Sequence, residues 1–293
     1  MRVSEIVRRS RGFSYSFEVF PGMGRNGRNI YRVIDEMVKL GPRFISVTYG
    51  AGGGNRRDLL SLCGHIAARG VTPLPHFTAV GHTRREVDEV LSSFRDHRFE
   101  NVLALRGDPP RNHEGPVEDL FRDFSNASQL IRHVKEHHPP CVGAAAYPEG
   151  RPDCSREDNL GYAREKRDAG AEFFITQMFF ENDCFYRFVE ESGLGEAVIP
   201  GILPIFGPGQ LEMAKNLAGA HIPRPLLQRL MRCRDDAEAF REVGLDHASA
   251  QISELVGAGF GFVHIFTLNR WRDTAELLER VRLRDRRRAS GPR

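Results

Sequence analysis

Side chains able to move a proton or hold an anion fall at the ends of short apolar runs along this chain. Glu18 lies in SYSFEVF (14–20), Thr48 and Tyr49 close RFISVTY (43–49), and His76 and Thr78 close TPLPHFT (72–78). Arg106 and Gly107 end NVLALRG (101–107) and Asp108 follows; Tyr147 ends CVGAAAY (141–147), with Glu149 just beyond. Thr176 and Gln177 lie in EFFITQM (172–178), Gly207 and Gln210 follow AVIPGILPI (197–205), and Thr267, Asn269 and Arg270 close or follow GFVHIFTL (261–268). Singly, each has a structural reading: Glu18 pairs with an arginine, His76 is a satisfied core histidine, Asp108 caps the next segment. A polar group inside an apolar strand costs free energy unless it is paired, and a structural core needs no full ring of them. Two acids suit proton transfer, and an arginine suits an anionic or carboxylate end. With a glutamine and aromatic rings, this inventory fits a large cofactor and a heteroaromatic substrate. No H-x-H or H-E-x-x-H marks a metal site, and His76 and His264 are the only strand histidines. No G-x-S-x-G elbow marks a serine hydrolase.

The elements that must position these groups alternate. The eight runs are almost continuously apolar, as strands are when both faces of a parallel sheet are covered. Between them, IYRVIDEMVKL (30–40), RREVDEVLSSF (84–94) and ASQLIRHVKEH (127–137) repeat apolar residues at helical spacing. Eight strand–helix units in 293 residues predict one (β/α)8 barrel over residues 1–283, with its chemistry at the C-terminal strand ends. An open doubly wound sheet would carry a Gly-rich turn after its first strand, and here that strand runs into Glu-Val-Phe-Pro-Gly. Residues 220–245 exceed one crossover and predict extra helices before the last strand. Residues 2–10 predict a short helix closing the barrel bottom. YGAGGGNRRD (49–58) reads either as backbone amides approaching an anion or as a tight turn.

Composition bounds the function class. Hydrophobic residues make up 40% and charged residues 28%, enough for a large core. No apolar run spans a bilayer and no secretory signal opens the chain, so a cytoplasmic protein without membrane contact is expected. The five cysteines, Cys63, Cys141, Cys154, Cys184 and Cys233, form no C-x-x-C pair and predict reduced, mostly buried thiols. Of the net charge of +3, the last 13 residues carry +5, leaving residues 1–280 at −2. Residues 284–293 therefore read as a disordered, dispensable basic tail rather than a nucleic-acid footprint.

Several segments together resemble the methylenetetrahydrofolate reductases: SFEVFP (16–21), GPRFISVTYGAGG (41–53), NVLALRGDPP (101–110), AAYPEG (145–150), KRDAGAEFFITQMFFEND (166–183), IPGILPI (199–205) and FTLNR (266–270). LRGDP and ITQ-x-FF are the most specific. The resemblance implies a (β/α)8 barrel with noncovalent FAD, NADH or NADPH as electron donor, a folate substrate, and the possibility of a homo-oligomer. By resemblance, Glu18 is the acid that opens the five-membered folate ring, Asp108 the acid beside flavin and pterin, and Gln177 the contact to folate and nicotinamide in turn. Thr48 falls at a nicotinamide contact. Tyr49, His76, Arg106, Gly107, Ala127, Tyr147, Arg151 and Lys166 fall at FAD positions, and Gln210 and Arg270 at folate positions.

The chain also departs from the family pattern. It reads FEVFPGMGR for FEFFPP-[KR]-T, Arg151 for a histidine, Asn126-Ala127 for Tyr-Ala, and Ala214 for a phenylalanine that often stacks on folate. DNLGYAREK, ahead of Lys166, is one residue longer than usual. These changes touch cofactor affinity more than reaction class. They leave two rival readings: a reductase of the same fold without flavin, and a non-catalytic folate- or flavin-binding subunit.

Overall fold

The computed structural model describes residues 1–21, 29–49, 56–109, 113–137, 140–151, 153–217 and 220–289. The strands are β1 (Ser14–Val19), β2 (Phe44–Val47), β3 (Thr72–Thr78), β4 (Asn101–Leu105), β5 (Cys141–Ala146), β6 (Phe173–Thr176), β7 (Val198–Ile199), β8 (Gly201–Ile202) and β9 (Phe262–Phe266). All pairings are parallel, in the order β7-β6-β5-β4-β3-β2-β1-β9-β8. β7 and β8 are two halves of one barrel stave, so the ladder closes on itself as the expected (β/α)8 barrel. The run 197–205 does not form one strand as expected. Pro200 has no N–H to donate and interrupts the ladder, while its carbonyl accepts from His264 N at 2.9 Å. One half-stave then pairs with β6 and the other with β9.

Closure sorts side chains by parity. Val19, Val47, Phe77, Val102, Ala144, Phe174 and Ile265 face the helices. Phe44, Leu74, Leu103, Cys141, Phe173, Ile199 and Phe262 fill the lower interior, together with Val3 and Ile6 of α1 (Val3–Arg9). Helix α1 is the expected bottom plug. Above that apolar layer the same inward rows continue as Ser16 and Glu18, Ser46 and Thr48, and His76 and Thr78.

The outer layer comprises α2 (Asn29–Lys39), α3 (Arg56–Ala68), α4 (Arg84–Asp96), α5 (Ala127–His137), α6 (Arg156–Asp168), α7 (Asn182–Ser192), α8 (Pro208–Leu217), α9 (Arg224–Arg232), α10 (Ala237–Gly257) and α11 (Trp271–Ala289). Thr83 and Glu86 form a capping box at α4, Ser155 caps α6, and Asp236 caps α10, which fixes where these helices begin. The extra helices expected over 220–245 are α9 and the start of α10. At Gly244, α10 lies so close to the chain after β8 that an added Cβ would sit 1.7 Å from the Ile205 carbonyl oxygen. Among the described residues no helix is long and apolar enough to cross a membrane.

Helix α11 runs through Ala289 and so crosses the boundary drawn at residue 283. Arg284 Nε donates to Ser249 Oγ at 3.0 Å, and its guanidinium pairs with Asp246 of α10, which Arg229 also holds at 2.9 Å. The first turn of the supposed tail is therefore docked helix.

Two outcomes follow from this packing. Gly244→Ala should destabilise the fold by about 1–3 kcal/mol, the scale of forced overpacking, because the obstructing atom is backbone; thermal unfolding checks it, and an unchanged melting temperature would refute the close approach. Deleting residues 284–293 should cost roughly 0.5–1 kcal/mol, the value of a half-exposed ion pair with one hydrogen bond; denaturant titration against Arg284→Ala should show that one side chain accounts for most of the loss.

Candidate active site

Glu18 sits on the inward row near the top of β1, its carboxylate oxygen 3.6 Å from His76 Nε2 on β3. The Glu18 side chain is 19% exposed, so it borders the mouth while its surroundings are largely protein. Burial pushes the Glu18 carboxyl up to about 8 and the His76 imidazole down to about 4, since both charged forms lose solvent there. The pair therefore rests as neutral acid beside neutral base. His76 Nε2 and Thr78 Oγ1 are buried and have no hydrogen-bond partner among the described residues, two open polar positions at the mouth. One layer below, His264 is the satisfied histidine: Ser16 Oγ lies 2.7 Å from Nδ1, Ser46 Oγ 3.4 Å from Nε2, and Phe44 stacks on the ring.

The mouth is sewn at the junction of β1 and β9. Thr267 Oγ1 donates to the Glu18 carbonyl at 2.6 Å. Asn269 donates to the Phe20 carbonyl at 2.9 Å and accepts from Phe20 N at 3.2 Å. These bonds hold Leu268 and Asn269 at φ 48° and 61°, a region that asparagine tolerates better than leucine.

Around the mouth from β4 to β6 lie the residues expected to hold a cofactor. Arg106 stacks on Phe121, its guanidinium carbon 5.0 Å from the ring centroid, beside a cleft of about 360 Å3 that Pro109 and Val117 also line. Gly107 has φ 84°, and a Cβ there would meet Val80 at 2.5 Å, so only glycine fits. Asp108 is almost fully exposed, 3.9 Å from Arg106. Lys166 on α6 donates to the Ala145 carbonyl at 2.9 Å and lies 5.6 Å from the Tyr147 ring centroid. Its ammonium is depressed to about 8, first by burial and then by the charge of Arg151. Arg151 covers the same tyrosine at 5.5 Å and donates to Asp153. Asn126 accepts from Gln129 N at 2.9 Å and caps α5, which puts Ala127 in the first helical turn.

The remaining rim carries the expected substrate contacts. Gln177 Oε1 accepts from Met178 N at 3.0 Å, and its amide nitrogen has no partner among the described residues. Gln210 Oε1 accepts from Phe206 N, which ties the start of α8 to the end of the preceding strand run. Arg270 lies over the Phe206 ring at 5.0 Å and donates to Asp273 at 2.6 Å. Asp273 is held below the usual carboxylate range: burial works against this, and hydrogen bonds from Arg241 and Arg270 outweigh it.

The structure thus gathers Glu18, Thr48, His76 and Gln177 on the inward rows at one end of the barrel, with Arg106, Gly107, Tyr147, Arg151, Lys166, Gln210 and Arg270 around them. Tyr49 is set apart, because its parity sends the ring outward, edge-on to Phe77 at 5.9 Å. Ala214 is fully buried among α8–α10 side chains and takes no place at the mouth. Most of YGAGGGNRRD and the departures at 22–25 lie outside the described residues. Sequence reading missed Phe206, Phe121 and Asp273. Asp273 had a usable signal, an acid three residues after Arg270 at the start of a helical pattern. No cluster of potential metal ligands occurs among the described residues.

A parallel barrel with a protonatable acid and several cationic side chains at its C-terminal mouth defines the broad class, a (β/α)8 protein with a polar mouth. Comparison with known proteins narrows it. The methylenetetrahydrofolate reductase family model matches residues 2–282, and the chain belongs to that family. It is 32% identical over 261 residues to the 5,10-methylenetetrahydrofolate reductase of Escherichia coli, covering 87% of this chain and 86% of that one. It is 31% identical over 274 residues to methylenetetrahydrofolate reductase (NADH) 1 of Arabidopsis thaliana, covering 87% of this chain and 46% of the relative, so it spans about half the length of such relatives. Among solved structures, a Clostridium thermocellum protein that binds two copies of 5-methyl-5,6,7,8-tetrahydrofolic acid superposes with TM-score 0.64 at 15% identity, covering 97% of this chain and 99% of the other. That likeness supports the fold alone.

The elevated Glu18 carboxyl makes a stability test that needs no ligand. A folded-state value of about 8 against an ordinary 4.5 means the folded protein binds this proton more tightly than the unfolded chain. The contribution is complete below the ordinary value and is lost as pH rises toward about 8. Glu18→Gln should therefore flatten the fall in melting temperature across that window. Parallel melting curves for the two proteins would argue that Glu18 is not desolvated.

Proposed function

We propose that this chain reduces 5,10-methylenetetrahydrofolate to 5-methyltetrahydrofolate, with NADH or NADPH as donor and FAD as a noncovalently bound carrier in a ping-pong cycle. The observation that carries the reading is Glu18, an acid kept protonated by burial at the mouth of a barrel from the reductase family. The methylene bridge between two folate nitrogens is a poor hydride acceptor until one nitrogen is protonated and the ring opens to an iminium. Glu18 would donate that proton, and a value near 8 keeps the donor loaded at neutral pH. The folate bound by the Clostridium thermocellum protein of the same fold agrees with a folate site here.

The residues present fit FAD. The unpartnered His76 Nε2 and Thr78 Oγ1 offer polar contacts, Arg151 and Lys166 place two cations beside Tyr147, and a cleft opens next to Arg106. His76, Arg106, Gly107, Ala127, Tyr147, Arg151 and Lys166 would hold it, while the Tyr49 ring, turned toward Phe77, would not. When bound, FAD supplies two-electron hydride storage, so that donor and acceptor can use one face in turn. Thr48 would meet the nicotinamide. Gln177, with its free amide nitrogen, would hydrogen-bond each partner in turn. Asp108 would stand at the outer rim beside Arg106, a polar group of different environment from Glu18. Gln210 would border the folate, and Arg270 would hold its aminobenzoyl-glutamate end. A cytoplasmic setting suits these substrates.

Glu18→Gln should separate the half-reactions. Flavin reduction by NADH or NADPH should survive, while folate reduction falls by on the order of 10² or more, the scale of losing a general acid. In the unmodified protein, folate reduction should decline as pH rises through about 8. Stopped-flow traces with both half-reactions equally impaired would remove Glu18 from the proton-transfer role. Addition of FAD to apo-protein, followed by flavin fluorescence or calorimetry, tests the carrier. Folate reduction at full rate by protein that binds no FAD would establish the flavin-independent alternative.

A further inference from the structure

Arg270 is one end of an alternating chain of charges that runs away from the mouth between α10 and α11. Its Nε donates to Asp273 Oδ2 at 2.6 Å, and the other oxygen of Asp273 accepts from Arg241 Nε at 2.6 Å. Arg241 also pairs with Glu276, which receives Arg280 at 2.5 Å, and Arg280 holds Glu242 at 2.7 Å. The inner members are the buried ones: Asp273 is 12% exposed and Arg241 18%, against 41% for Arg270. Asp273 also lies in the first turn of α11, where the amino-terminal end of a helix favours an anion.

This arrangement is more than an ion pair at a helix start. Because Arg241 engages the second oxygen, the Asp273 carboxylate is held between two guanidiniums and fixed in orientation, and Arg270 is the more exposed of the two. Nε is committed to Asp273 and the guanidinium face to Phe206, which fixes the fork in two directions. The terminal nitrogens of Arg270 have no partner among the described residues.

We propose that Asp273, backed by Arg241, is the positioning residue that sets across Phe206 the Arg270 fork assigned above to the folate. The proposal rests on the folate reading above.

The test is a double-mutant cycle on Arg270→Ala and Asp273→Asn, reading KM and kcat for 5,10-methylenetetrahydrofolate and the calorimetric Kd of 5-methyltetrahydrofolate. Asp273→Asn should raise KM and Kd about tenfold with kcat within about twofold, the scale of misplacing one charge-assisted hydrogen bond. In the double variant it should add nothing to Arg270→Ala, because its effect passes through that arginine. Asp273→Glu, which keeps the carboxylate, should restore most of the binding, and it carries the same comparison if Asp273→Asn does not fold. Normal folate affinity in Asp273→Asn when Arg270→Ala is impaired, or effects that multiply in the double variant, would overturn the positioning role while leaving the folate site intact. Failure of the unmodified protein to bind either folate would overturn the folate reading itself, and the inference with it.

Discussion

Closure of the parallel ladder assigns every second strand residue to an interior that helices wall off from water. That interior is narrow, and its lower part is filled by Phe44, Leu74, Leu103 and Phe173 with α1 as a plug. Polar side chains on the inward rows can therefore survive only toward the upper end, where a mouth supplies partners or space. Glu18, His76 and Thr78 lie there because their strands began at the right parity several residues earlier. A one-residue slip would turn all of them into the helix layer.

Two acids in one protein show how environment divides labour. Glu18 has a neutral histidine for company and no cation among its hydrogen-bond partners, so burial dominates and the proton stays on. Asp273 is also mostly buried, yet two guanidiniums outweigh desolvation and its proton is given up readily. Histidines divide in the same way. His264 is enclosed by two serines and rings, whereas His76 points a bare nitrogen at the mouth. Burial is common to all four, and the identity of the neighbours decides which groups remain available.

Much of this was legible in the residue order. The eight apolar runs, the bottom helix, the extra helices before β9 and the ring of polar strand ends could be read because period-two and period-3.6 patterns are local. What could not be read depended on three-dimensional neighbours. Tyr49 follows Thr48 directly, yet parity sends its ring to Phe77. Asn126 resembles a weakened ligand position until its bond to Gln129 N shows a helix cap. Pro200 could have been suspected of breaking its strand, but that both halves still pair is a property of the closed barrel. The arginine-rich end looked like a tail because charge hides amphipathicity, and Asp246 and Ser249, which receive Arg284, are far away in sequence.

The seam between β1 and β9 has a consequence for how the chain matures during synthesis. Glu18 leaves the ribosome well ahead of the Thr267 hydroxyl that ties its carbonyl in place, which arrives 249 residues later, as does the Asn269 amide that fastens Phe20 by the same span. At translation speeds of about 5–20 residues per second, that interval is on the order of ten seconds or more. Through that time β1 lacks one of its two neighbours, and the carboxyl has no closed interior to raise its affinity for a proton. The burial that raises the Glu18 carboxyl is thus complete only when the last strand seats.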